Sequence, residues 1–228
     1  MDVRFVVVAI LWSAVAAPAG ALPSALHPIG RGPNTVGVCG NVVVHANSAI
    51  DATLHDDQTI ERSIERLHSL DFASSTPLQH DGVAELRRLS GDLADTSAHG
   101  TSEVGRLRNY AQRIEEERQR TELSVFADAL ASALDRQQKM GADLNRFLVR
   151  LTYHEMRQEA DPSKVIDPDP RPSVGPEAFT PRAHPAERLD DPNEEARATA
   201  ADFSTRLADV RRDESHAADL SEAAVGGC

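Results

Sequence analysis

Cysteine is scarce in this chain of 228 residues; there are two, Cys39 and Cys228. Zinc frameworks built on clustered thiolates need more, and the Cys-x-x-Cys-His haem attachment motif is absent. Aromatic residues make up 4 % of the chain, and its single tryptophan, Trp12, lies near the start. A core poor in aromatics is assembled from Leu, Val, Ile and Ala. That suits helices packed side by side better than a β-sandwich, whose strands favour aromatic and β-branched residues. Lysine is represented by Lys139 and Lys164 alone, which reads as coding bias rather than chemistry. Positive charge is in deficit, with 24 Lys and Arg against 36 Asp and Glu and a net charge of −12. Such a chain repels phosphate backbones, so general binding to nucleic acid or anionic membrane is disfavoured.

Catalytic signatures are missing too. There is no His-Glu-x-x-His, no Gly-x-Ser-x-Gly and no glycine-rich phosphate loop. No cofactor is implied, and the expectation is a protein that is not an enzyme.

What is present begins with "MDVRFVVVAILWSAVAAPAGALPS". Arg4 precedes an apolar or small run from Phe5 to Ala17, and Ala19 and Ala21 are small residues at the positions a signal peptidase reads. The pattern is that of a secretory signal peptide cleaved near Ala21. The alternative is retention as a membrane anchor, but the apolar core is shorter than the roughly 20 residues a spanning helix needs. No later stretch is apolar enough to span, so an extracytoplasmic location is expected.

Residues 22–40 hold three prolines and four glycines and read as an extended leader. A helical body is expected over 41–160. Val43, Ala46, Ile50, Leu54, Ile60, Ile64 and Leu67 recur at steps of mostly three and four, one face of a helix from about Asn41 to Phe72. Asp56, Asp57, Glu61, Arg62, Glu65 and Arg66 are placed on its opposite, polar face. "SSTP" at 74–77 ends this helix. Val83, Leu86, Leu89 and Leu93 start a second stripe. Within it "ADTSAHGTSEVG" interrupts, with Gly100 as a plausible C-cap, while the count runs on through Ser97, Gly100, Val104, Leu107, Ala111 and Ile114 and leaves one long helix as the alternative. From Thr101 to about Glu159 almost nothing breaks helix. The expectation is a coiled-coil-like rod or two helices hinged near "QQKMGAD", with the apolar seam fading at Arg118 and Thr121.

Eight of the chain's 13 prolines fall in 161–192, which excludes regular helix there and reads as a linker. A last helix is expected over 193–228, opened by acidic residues that suit its N-terminal dipole and striped by Ala196, Ala200, Phe203, Leu207, Val210 and Ala217. Together these elements predict an all-α fold: an elongated antiparallel helical bundle or coiled-coil-like body, a proline-rich arm and a C-terminal docking helix.

Candidate sites are few. Glu65 and His68 form a Glu-x-x-His pair, and His154 lies in "TYHEMRQE", but a di-iron bundle needs two such pairs plus further glutamates. These three are weak metal candidates, and a solvated helix face explains them equally. The adjacent carboxylates Asp56–Asp57 and Asp190–Asp191 read as helix caps, and Glu115 to Glu117 as solvated helix surface. Arg106, Arg108, Arg113, Arg118 and Arg120 alternate with Glu103, Glu115, Glu116, Glu117 and Glu122, which predicts ion pairing. In an oxidising compartment Cys39 and Cys228 make an even count. An internal disulfide is expected, with an interchain bridge and free thiols as the alternatives. The function this points to is an exported, non-enzymatic helical module that binds a protein partner or itself. A small-ligand or metal-binding bundle is the alternative.

Overall fold

The computed structural model describes residues 25–30, 37–72, 77–159 and 191–226. These contain four long helices and no strand: α1 (Val38–Ser69), α2 (Pro77–Ala111), α3 (Glu117–Glu159) and α4 (Pro192–Gly226). The signal-peptide pattern, most of the proline-rich segment and Cys228 lie outside the described residues.

The helices run up and down in turn, each packing on the next, with α4 closing back on α1. Two apolar clusters fill the interior. One joins the start of α1, the end of α2, the start of α3 and the end of α4, around Val43, Leu107, Phe126 and Val225. The other joins the opposite ends, around Leu67, Leu86, Phe147 and Phe203. Nearly every residue of the periodic stripes is buried, so each stripe is used within this one chain. The final helix is a full member of the bundle, since Ala200, Phe203 and Val210 have no exposed surface. Asp191 starts it as expected: its Oδ1 accepts from the Asn193 and Glu194 amides at 2.8 and 3.3 Å, the capping that satisfies orphan helix donors.

Part of the leader is docked rather than free-running. Leu26 is buried, and the Asn47 side chain holds Ile29 by accepting from its amide at 2.6 Å and donating to its carbonyl at 3.0 Å. Gly37, at the entrance to α1, has φ of 73°, the left-handed region that favours glycine.

Two boundaries differ from expectation. The hinge near "QQKMGAD" does not exist, because α3 runs unbroken through Gly141. The chain instead turns at 112–116, a stretch with no glycine or proline. Here α2 ends in tightened bonds, Arg113 N to Tyr110 O and Ile114 N to Ala111 O, while Ile114 plugs the bundle end. The fading seam at Arg118 and Thr121 marked this place, and Glu115, Glu116 and Glu117 are exposed beside it.

Nor is Gly100 a cap. It lies inside α2, where an added Cβ would sit 2.7 Å from Leu134 Cδ2 and 3.0 Å from Ala52 Cβ. The absent side chain lets α2 approach α1 and α3. Gly91 is also helical, with nothing within 4 Å of such a Cβ. Gly91→Ala is therefore expected to stabilise the fold by about 0.5–1 kcal/mol, whereas Gly100→Ala destabilises it by about 1–2 kcal/mol as overpacking outweighs helix propensity. Urea unfolding of both variants checks the opposite signs.

Candidate functional site

Between the two apolar clusters the core changes character. Every helix contributes a polar residue at one level of the bundle: Asp56 and Asp57 from α1, Ser97 from α2, Gln137 from α3 and Glu214 from α4. Asp56, Ser97 and Gln137 have no exposed surface, and Asp57 and Glu214 expose 8 % and 5 %. The sequence reading placed Asp56 and Asp57 on a solvated face and took them for caps. They are neither, because both fall mid-helix and turn inward. Each lies at the next three-or-four step of a stripe: Ala49, Ala52, Asp56, Ile60 and Ile50, Thr53, Asp57, Ile60.

The layer is a connected network. Ser97 Oγ donates to Asp56 Oδ2 at 2.6 Å, and Gln137 Nε2 donates to the Thr53 carbonyl and to Asp57 Oδ1, both at 2.9 Å. Glu214 lies close enough to Asp57 for the Asp57 charge to raise its carboxyl. The nearby cation is Arg211, 3.6 Å from Asp57, half exposed and divided with Glu61. Burial, unrelieved by a dedicated counter-charge, pushes Asp56 up to about 7 and Glu214 up to about 8, with the Asp57 charge adding to both. Asp57 is raised by burial as well, against the opposing pull of Gln137 and Arg211. Asp56 Oδ1, Gln137 Oε1 and Glu214 Oε1 have no hydrogen-bond partner among the described residues.

Gln137 supplies two of the layer's donors. Gln137→Leu keeps the volume and removes them, so a loss of about 1–3 kcal/mol is expected. Chemical denaturation of the variant beside the wild type checks this.

A second polar constellation lies between the start of α1 and the end of α2. Glu103, with 5 % of its side chain exposed, pairs with His45 Nδ1 at 2.5 Å and Arg106 Nη1 at 2.8 Å. His45 stacks on Tyr110, with ring centroids 5.3 Å apart. Glu103 was expected to form ion pairs with the neighbouring arginines. It does pair with Arg106, but from inside the bundle. Arg118 pairs with Glu122, as the alternating charges predict, whereas Arg108 pairs with Asp128 of α3.

The metal candidates are not assembled. Glu65 and His68 are exposed on α1 and His154 is half-buried on α3. Among the described residues no group of three or more His, Cys, Asp or Glu is placed to hold a metal ion. None of the described helices is long and apolar enough to cross a membrane.

Sequence reasoning missed Gln137 and Glu214, and missed that Glu103 is buried. The signal for the first two was available: Leu134, Gln137, Met140 and Val210, Glu214, Ala217 continue the apolar steps through a polar residue. No known protein family, curated protein or solved structure matches the chain.

Proposed function

We propose that the protein is a non-enzymatic helical module that acts outside the cytoplasm through contacts with other proteins or with a second copy of itself. The observation that carries this reading is the outer face shared by α2 and α3. Gly91, Ala94 and Ala142 are exposed in a shallow groove of about 430 Å³ that Ser90, Gly141 and Leu148 also line, with the polar side chains of Arg87, Gln138 and Asn145 beside them. Small residues at a helix surface let another backbone approach closely, and the 8–10 Å spacing of packed helices depends on such side chains. Further along α3, Val149 and Tyr153 lie one turn apart and are 46 % and 54 % exposed. Apolar side chains beside a polar-rimmed groove favour a contact surface. The export half of the reading rests on the charged start, apolar core and small residues of the first 21 positions.

The finer architecture belongs to the same proposal. A proline-rich arm over 161–192 carries α4 back to the bundle, and α3, 43 residues long, supplies a coiled-coil-like spine.

Cross-linking and light scattering of the secreted protein at several concentrations test the reading. A concentration-dependent dimer, or a discrete partner, is expected. Ala142→Arg, on the exposed groove floor, is expected to abolish that association without changing the melting temperature. A strictly monomeric species from which no partner is recovered overturns the proposal.

A further inference from the structure

We propose that the cleft between the start of α1 and the end of α2 binds a small anion through a carboxylate or phosphate group. The cleft measures about 390 Å³ and is lined by His45, Arg106, Asn109, Tyr110 and Arg113. That volume falls within the roughly 300–1,000 Å³ of small-molecule sites. Two guanidinium groups, an amide, a phenol and an imidazole line it, and among the described residues no acidic side chain does. In a chain of net charge −12 this is a local reversal of sign. The planar donor fork of arginine matches the paired oxygens of carboxylate and phosphate.

The bracing of the cleft distinguishes it from two neighbouring surface arginines. Glu103 lies behind it, buried, with one carboxylate oxygen on His45 and the other on Arg106. One buried charge thus fixes a lining side chain from each of the two helices. Tyr110 is held in turn by its stack on His45, and the Arg113 guanidinium lies 5.3 Å from the Tyr110 ring centroid. Four of the five lining side chains therefore belong to one run of contacts: Arg106, Glu103, His45, Tyr110, Arg113. Side chains ordered in advance cost less entropy when a ligand arrives. Glu103 offsets one guanidinium. The other exceeds the partial negative charge, about half an elementary charge, of the α2 C-terminal carbonyls.

The test is a titration of the full chain with inorganic phosphate and, separately, with benzoate, followed by two-dimensional amide NMR at constant ionic strength. Saturable shifts centred on the five lining residues are expected for at least one anion, with a Kd in the low millimolar range or tighter. Saturation by benzoate alone assigns a carboxylate ligand and by phosphate alone a phosphate ligand. The Arg106→Gln/Arg113→Gln double variant is expected to raise Kd at least tenfold, with a lower melting temperature because buried Glu103 loses a partner. Arg113→Gln alone, altered at an exposed position beyond the end of α2, is expected to raise Kd at unchanged melting temperature. Linear, non-saturating shifts with both anions overturn the proposal, as does equal saturation in the variants.

Discussion

The melting temperature is expected to fall by about 10 °C as the pH rises from about 5.5 to about 8.5. The cause is the carboxyl layer at mid-bundle. Asp56 is raised from an ordinary 3.8 to about 7 and Glu214 from 4.5 to about 8, both chiefly by burial. A folded state that holds its protons more tightly than the unfolded chain gains most where both are protonated. That advantage is complete below about pH 4, declines as the unfolded chain ionises, and is gone above about pH 8. Three pKa units on Asp56 correspond to about 4 kcal/mol, a ceiling because the layer relaxes and admits water once charged. A net loss of about 2–4 kcal/mol translates, for a chain of this size, into roughly 10 °C.

The sign is opposite to that of surface carboxylates held by ion pairs, which stabilise as pH rises and finish titrating below this window. Asp56→Asn keeps an acceptor for Ser97, and Glu214→Gln keeps the shape of the α4 contribution. Each is expected to flatten the slope and to raise the melting temperature at pH 8.5 by several degrees. Scanning calorimetry across the window, wild type against the two variants, decides the matter. A melting temperature that is flat or rising with pH, or a slope unchanged in both variants, would show that the layer is ionised in the native state.

The internal pairing of Cys39 with Cys228 that we propose from the even cysteine count predicts the other large effect. Cys39 is half-buried against the cluster that also contains Ala224 and Val225 of α4, three residues short of Cys228. The two ends of the helical chain therefore meet at one end of the bundle, which supports an internal pairing of Cys39 with Cys228. Such a bridge encloses all four helices. In the chain-entropy description it restricts the unfolded state by about 5 kcal/mol, less any native strain. Cys39→Ser, or reduction of the wild type, is expected to lower the melting temperature by more than 10 °C, following the same size scaling. The secreted monomer should also change mobility between reducing and non-reducing electrophoresis. A dimer band that collapses on reduction would assign the cysteines to an interchain bridge. Unchanged mobility together with unchanged stability would exclude both pairings.

Much of the bundle was legible in the sequence because helix burial is periodic. Ile50, Leu89, Leu107 and Phe203 were placed in the core from spacing alone, and all four have no exposed surface. The α2 stripe ran through "ADTSAHGTSEVG" without losing step, and the helix does the same. What periodicity could not weigh was residue identity at an inward position. Asp56, Asp57, Gln137 and Glu214 hold stripe positions, but a rule that treats every carboxylate as solvated removes them from the face they occupy. Reading the step before the residue type recovers the layer.

The sequence by itself determined the class of fold, the α4 start at Asp191 and the apolar face of each helix, since these depend on chemistry within a few turns of chain. Tertiary structure alone decided that the four polar interruptions fall at one height, that Gly100 is a point of close approach, and that α2 turns at 112–116 without a breaker residue. Each of those depends on how far one helix is slid along another. That offset is set by the joint packing of both ends of the bundle and has no counterpart in any one segment.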